Sequence, residues 1–102
     1  MIEGNGAIIK DALIMLHPER WKLICALKEL GKPLFIGQLA DKIGTDRRLI
    51  SYHLSTLEEH GFVKSEFKVI EPPSSKGKAG RFYELTSKVD EIKPKLAKII
   101  QS

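Results

Sequence analysis

The stretch that decides the fold is TDRRLISYHLSTLEEHG, residues 45–61. It predicts a helix of about residues 46–60, because Thr45 or Asp46 can cap the free backbone N–H groups and Gly61 can end the last turn. Arg47 and Arg48 stand in the first turn, where the helix dipole disfavours cations by a few tenths of a kcal/mol. Two arginines at that position indicate that this end of the helix meets an anion.

The two faces of this helix have opposite chemistry. Apolar residues at helical spacing predict an inner face, with a histidine beside it that we expect to be a half-buried core residue: Ile50, Leu54, Leu57 and His53. The opposite face is polar, can form hydrogen bonds and carries no acid: Arg48, Ser51, Tyr52 and Ser55. Beyond the possible cap at Asp46, the acids of this helix lie at its C-terminal end, at Glu58 and Glu59.

Three helices are predicted before this stretch. The first, about residues 6–16, is apolar nearly all round and must be buried on more than one side. The second lies between Pro18 and Gly31, which suit the first helical position and the position after the last turn. The third is short, about residues 36–43. A short helix, a three-residue turn and a longer helix make a helix-turn-helix.

The pattern changes from helix to strand after Gly61. FVKSEFKVI (62–70) and RFYELT (81–86) predict a hairpin, with the loop EPPSSKGKAGR (71–81) as its tip. A last helix of about residues 88–101 follows, in which Pro94 either kinks the helix or starts it afresh. The predicted fold is mostly α with a small β-hairpin, a winged helix-turn-helix of order α-α-α-α-β-β-α, in a single domain of residues 1–102.

Composition sets broad limits on function. The 102 residues carry a formal net charge of +4, which by itself is weak support for a polyanionic partner. The single cysteine, Cys25, excludes an intramolecular disulfide and a multi-cysteine zinc site. We expect Cys25 to be a small buried hydrophobe, with a redox switch as the alternative. No apolar run approaches the ~18 residues of a membrane span, and no secretory signal is visible, so a cytoplasmic protein is expected. Scarce amides with abundant Lys, Glu and Ile favour a thermophile.

Four segments in the right order resemble the ArsR-type winged-helix regulators. They are LHPERWKLICAL (16–27), IGQLADKIG (36–44), LISYHLSTLEEHGFV (49–63) and GRFYELT (80–86), the last being similar to the returning wing strand of archaeal members. The resemblance covers about residues 16–86. It implies a homodimeric transcriptional regulator that binds double-stranded DNA with the second helix of the helix-turn-helix in the major groove.

The residues themselves predict which side chains meet DNA. The recognition helix contacts base edges mainly with its N-terminal residues, so we expect Arg48 on a base edge and Arg47 on phosphate. The alternative is that both arginines are solvated or pair with glutamates. Tyr52 either reaches DNA or packs against the wing, and Gln38 either contacts phosphate or is solvated. The expected DNA-binding set is Gln38, Arg47, Arg48, Ser51, Tyr52, Ser55 and, on the wing, Lys76, Lys78 and Arg81. The alternative for the wing is a basic loop that only aids solubility.

The two terminal helices are predicted to form the dimer interface. Their apolar residues exceed what one side of a small domain can bury. The expected interface residues are Ile8, Ile9, Ala12, Met15, Ile92, Leu96, Ile99 and Ile100. Two-fold symmetry would place two recognition helices about one DNA turn apart on a pseudo-palindrome. The alternative is that both helices complete a monomeric core.

No metal site, cofactor or catalytic centre is expected. Many relatives sense metals through cysteines in the third helix or through histidines and acids on the last helices, whereas here residues 38–43 contain no cysteine and the last helix contains no histidine. His17, His53 and His60 look scattered, with the last two ~10 Å apart along one helix. No nucleophile–base pair, paired carboxylates or phosphate loop is present, which argues against an enzyme. The competing functions are a protein-interaction module of the transcription machinery and a non-specific architectural DNA-binding protein. No effector can be inferred.

Overall fold

Five helices and three short strands make up the computed structural model, which describes residues 2–69 and 79–101, with side chains over 5–69 and 80–101. The elements are α1 (Ile2–Met15), α2 (Pro18–Leu30), β1 (Leu34–Phe35), α3 (Ile36–Ile43), α4 (Arg47–Glu59), β2 (Val63–Val69), β3 (Ala79–Leu85) and α5 (Lys88–Gln101). The predicted mostly helical winged helix-turn-helix is confirmed, with one strand added. Of the described helices, none is long and apolar enough to cross a membrane.

The three strands form one antiparallel sheet in the order β1-β3-β2. In the hairpin Val63 pairs with Leu85 and Val69 with Ala79, while β1 joins the far side of β3 through Leu34 opposite Tyr83. The sequence did not predict β1. A two-residue strand has no periodicity of its own, and it exists here only because β3 offers a partner about fifty residues away in sequence.

The structure extends the first helix beyond its predicted start and decides between the two alternatives for Pro94 in the last helix. α1 begins at Ile2 rather than near residue 6, although Gly4 and Gly6 each disfavour a helix by about 1 kcal/mol relative to alanine. α5 runs unbroken through Pro94, so a fresh start of the helix at that residue is excluded. Pro94 is exposed and has no backbone N–H to donate, so one helical hydrogen bond is lost on the solvent side.

The core draws on all five helices and the sheet, with its largest shares from α2 and α4. Ile50, Leu54 and Leu57 are at most 2% exposed, which confirms the inner face predicted for α4. Phe62 and Leu39 are fully buried in the same cluster. Burying a large apolar side chain of this kind contributes about 1.5–3 kcal/mol each. The core therefore fixes which face of α4 remains outside.

Lys88 connects the terminal helices to the end of α4. Its ammonium group donates to the carbonyl of His60, lies 3.4 Å from the Asp11 carboxylate and sits 4.7 Å from the Phe62 ring centroid. Lys88 is itself only half-buried. The contacts attach the start of α5 to α1 and to the connection between α4 and β2.

Cys25 is exposed, so its predicted burial is wrong. The inner side of α2 is taken by Leu23, Ile24, Ala26 and Leu27. Successive helical residues are rotated by about 100°, so a residue between Ile24 and Ala26 does not have to share their face. The apolar neighbours in sequence were a misleading signal.

Candidate nucleic-acid interface

The N-terminus of α4 is held by a side-chain cap. Asp46 Oδ1 accepts a hydrogen bond from the Arg48 backbone N–H at 2.9 Å, and Gly44 (φ 76°) ends α3 in the left-handed conformation. The turn between α3 and α4 thus spans residues 44–46, which is the predicted length of three. The Asp46 carboxylate also offsets part of the unfavourable placement of two arginines at the positive end of the helix dipole.

The outer face of α4 is exposed as predicted. Arg48, Ser51, Tyr52 and Ser55 all lie at the surface. Tyr52 is 62% exposed, and its ring packs edge-on against the His53 ring, with 5.1 Å between the centroids. The sequence reasoning missed Leu49, which is 51% exposed on this helix. The signal in the sequence was a leucine that does not belong to the apolar face of the helix.

Arg47 reaches back over the start of α3. A Cβ atom placed on Gly37 would lie 3.1 Å from Arg47 Nη2 and 3.3 Å from the Phe35 ring, so the guanidinium group lies directly over this glycine. Gln38 is folded over the same turn, where its Oε1 accepts a hydrogen bond from the Phe35 N–H at 3.0 Å. Arg47 and Gln38 therefore stand together at the N-terminus of α3, a position whose backbone N–H groups favour anions.

The wing residues divide into one that is described and two that are not. Lys76 and Lys78 lie outside the described residues. Arg81 is exposed, and its Nη1 donates to Ser65 Oγ at 2.9 Å. Its guanidinium carbon lies 4.2 Å from the centroid of the Phe67 ring. In the free protein Arg81 is thus engaged within the hairpin.

His53 occupies an unusual site on the inner side of α4. It is 6% exposed, which confirms it as a core histidine, and its Nδ1 has no hydrogen-bond partner among the described residues. Its ring lies 4.8 Å from the ring of His17, whose Nδ1 caps α2 by accepting from the Glu19 N–H. Burial lowers the pKa of His53, and the neighbouring His17 and Arg20 lower it further.

The close approach of His17 and His53 corrects the expectation that the three histidines are scattered. His17 precedes α2, and the packing of α2 across α4 brings the two rings together, which no local spacing could reveal. Over the described part of the chain, no group of three or more His, Cys, Asp or Glu side chains is placed to hold a metal ion.

α1 and α5 pack on each other and leave an apolar surface outside. Ile9, Leu13, Leu16 and Ile100 are 43–73% exposed, and we call these four the terminal apolar face. Leu13 and Leu16 were not among the predicted interface residues. Ile8, Leu96 and Ile99 are half-buried. Ala12, Met15 and Ile92 are at most 5% exposed within this one chain and have almost no surface left for a partner.

Comparison with known proteins identifies the fold. Residues 17–65 match the family described as bacterial regulatory protein, arsR family. The transcriptional repressor BigR from Xylella fastidiosa is 28% identical with a TM-score of 0.62, over 83% of this chain and 74% of that one. Reduced HlyU from Vibrio cholerae is 25% identical with a TM-score of 0.65, over 98% and 93%. A second HlyU structure, at 22% identity and a TM-score of 0.63, covers 96% and 97% and supports the fold alone. No curated protein sequence matches the chain.

These similarities agree with the prediction that the protein is not an enzyme, since the family and BigR are described as regulators. The named neighbours come from bacteria, and none of them supports the archaeal resemblance of the last strand. The matched segment runs from the start of α2 through the recognition helix into β2. The chain therefore carries an arsR-family helix-turn-helix domain over residues 17–65 and has the fold of an ArsR-type winged-helix transcriptional regulator.

Proposed function

We propose that this protein is a DNA-binding transcriptional regulator that binds a pseudo-palindromic duplex site as a homodimer. The observation that carries the proposal is the outer face of α4, which is exposed and polar, carries no acid from Arg47 to Ser55, and has two arginines at its N-terminus. α4 enters the major groove, where the N-terminal residues of a recognition helix meet base edges.

The roles of the α4 residues follow from their positions. Arg48 contacts a base edge, where a guanidinium group can bond to guanine in a bidentate manner. Ser51, Tyr52 and Ser55 continue along the same face with hydroxyl groups that bond to bases or phosphates. Leu49 is placed beside this face and suits apolar contact with a thymine methyl group.

The N-terminus of α3 supplies a phosphate contact. Arg47 Nη2 lies over Gly37, and the Gln38 side chain covers the same turn. One phosphate seated there would meet a guanidinium group, the amide of Gln38 and the helix N-terminus together. On the wing, Lys76 and Lys78 are the proposed backbone or minor-groove contacts. Arg81 is left out of this set because it is held within the hairpin.

The terminal apolar face supports dimerisation. Four large aliphatic side chains, each 43–73% exposed on α1, on the residue after it and on α5, form a surface of the kind that marks protein association. A second copy of the chain is the proposed occupant, joined by a two-fold axis that pairs the same surface on both copies. Ile8, Leu96 and Ile99 lie at its margin, whereas Ala12, Met15 and Ile92 serve the core of each copy. Two recognition helices would then lie about 34–36 Å apart.

A selection from a random duplex library tests the proposal. The chain is incubated with the library at two salt concentrations, and bound and unbound sequences are compared. Enrichment of an inverted repeat with a steep salt dependence supports a dimeric, specific regulator. Binding without enrichment supports an architectural protein instead. Absence of binding at modest salt refutes DNA recognition and favours a protein-interaction module.

A further inference from the structure

One hydroxyl group connects the recognition helix to both strands of the wing. Ser65 on β2 donates a hydrogen bond from Oγ to Glu58 Oε2 on α4 at 2.7 Å. The same Oγ accepts from Arg81 Nη1 on β3 at 2.9 Å. Arg81 is opposite Phe67 in the strand register, and its guanidinium group lies over the Phe67 ring. We call Glu58, Ser65 and Arg81 the helix–wing bridge.

The chemistry of the bridge requires a hydroxyl at position 65. A serine side chain has one proton to donate and lone pairs to accept with, so it can serve a carboxylate and a guanidinium group at once. Both bonds are charge-assisted, which makes them stronger than bonds between neutral groups. Alanine offers neither bond, whereas threonine keeps the hydroxyl and suits a strand.

The bridge stands where the hairpin leaves the body of the protein. Val63 is buried, Ser65 is half-buried, and Phe67 beyond it on the same side of β2 is 64% exposed. The connection from α4 to β2 passes through Gly61, whose φ of 82° makes a sharp turn. Packing at Phe62 and Val63 fixes the base of the hairpin, and the bridge adds a second attachment two residues further out.

From this geometry we propose that Ser65 is a positioning residue that sets the direction of the wing relative to α4, so that both meet the same duplex. The inference rests on the proposed DNA binding. It assigns Arg81 to holding the hairpin rather than to contacting DNA. Pairing with β1 already holds the β3 side of the hairpin at Phe82 and Tyr83, and the bridge attaches the β2 side to α4, so the two attachments together set the angle of the hairpin.

The test compares Ser65→Ala, Ser65→Thr and wild type by hydroxyl-radical footprinting on the selected duplex. Glu84→Gln is the matched control, because it breaks the Lys64–Glu84 ion pair (3.6 Å) between the same two strands on their opposite face. We expect Ser65→Ala to keep protection where α4 binds, to lose it where the hairpin binds, and to bind about tenfold more weakly. Ser65→Thr and Glu84→Gln should match wild type.

A footprint of Ser65→Ala that equals the wild-type footprint would overturn the proposal, as would Ser65→Thr behaving like Ser65→Ala. If the wild-type protein binds no duplex, the proposed function fails, and the positioning role is decided in the free protein. Residual dipolar couplings then report the direction of the β2 and β3 amides relative to α4. A changed direction in Ser65→Ala with an unchanged one in Glu84→Gln supports the role, and identical couplings in all variants refute it.

Discussion

Replacing Arg47 and Arg48 separately by alanine should produce two different losses of DNA binding. Arg48 is proposed to read a base edge, and a bidentate arginine–guanine contact is worth about 1–3 kcal/mol of discrimination. A homodimer makes the contact twice, so Arg48→Ala should weaken binding to the selected duplex by about 2–6 kcal/mol, at least ~30-fold. Binding to a random duplex should fall far less, because non-specific binding depends on phosphates.

Arg47 is proposed to contact phosphate from its position over Gly37. Arg47→Ala should therefore weaken binding to selected and random duplexes by the same factor. The negative slope of log K against log salt becomes less steep by about 0.9 for each lost phosphate contact, so the slope of the dimer should become less steep by about 2. Fluorescence anisotropy titrations of both duplexes at four or five salt concentrations measure the two effects together.

Lys28→Ala is the charge-matched control, because Lys28 pairs with Asp90 at 3.1 Å between α2 and α5, outside α4. It should leave both the affinity ratio and the salt slope unchanged. Loss of either arginine should not destabilise the fold, since removing a cation from a helix N-terminus is favourable by a few tenths of a kcal/mol. Equal losses on both duplexes for Arg48→Ala would show that it touches only phosphate, and unchanged binding in both variants would refute the placement of α4.

Three further predictions concern assembly and stability. Leu13→Glu should give a monomeric mass by light scattering, whereas the surface control Leu30→Glu should keep the mass of a dimer. A monomeric mass for the wild-type protein would refute the terminal apolar face as an interface. Because the pKa of His53 is lowered in the folded protein, the unfolded chain binds a proton at this histidine more readily than the folded protein as pH falls below about 6.5. The free energy of unfolding, measured in urea, should therefore fall below that pH in wild type and fall less in His53→Leu; equal pH profiles would contradict this. Lys88→Met should lower that free energy by about 1–3 kcal/mol, because it removes a hydrogen bond and a half-buried ion pair. Lys93→Met, which removes an exposed ion pair with Asp90 (3.8 Å), should change it by less than about 0.5 kcal/mol. Equal effects of the two lysine variants would refute the role of Lys88.

The features that sequence predicted best depend on local spacing. The buried and exposed faces of α4, the cap at Asp46 and the hairpin all follow from residues within one or two turns or strands of each other. Local pattern is a direct consequence of which side of an element faces the core. It also located Arg48 correctly at the surface, at the start of the recognition helix.

The features that sequence missed depend on contacts between distant segments. The pairing of β1 with β3, the approach of His17 to His53 and the reach of Arg47 over Gly37 each need the tertiary fold. Arg81 looked like a free cation because its partner Ser65 is sixteen residues away on another strand. Cys25 was misjudged for a different reason, since apolar neighbours in sequence do not share its side of α2.

The most direct test of the central claim is the mass of the complex between this protein and its selected duplex, measured by sedimentation in the analytical ultracentrifuge. The account predicts one duplex bound by two copies of the chain at saturation. Halving the duplex to a single half-site should sharply reduce the affinity, because the second recognition helix then has no site. One copy per full site with undiminished affinity for the half-site, or no complex at all, would contradict recognition of a pseudo-palindrome by a homodimer.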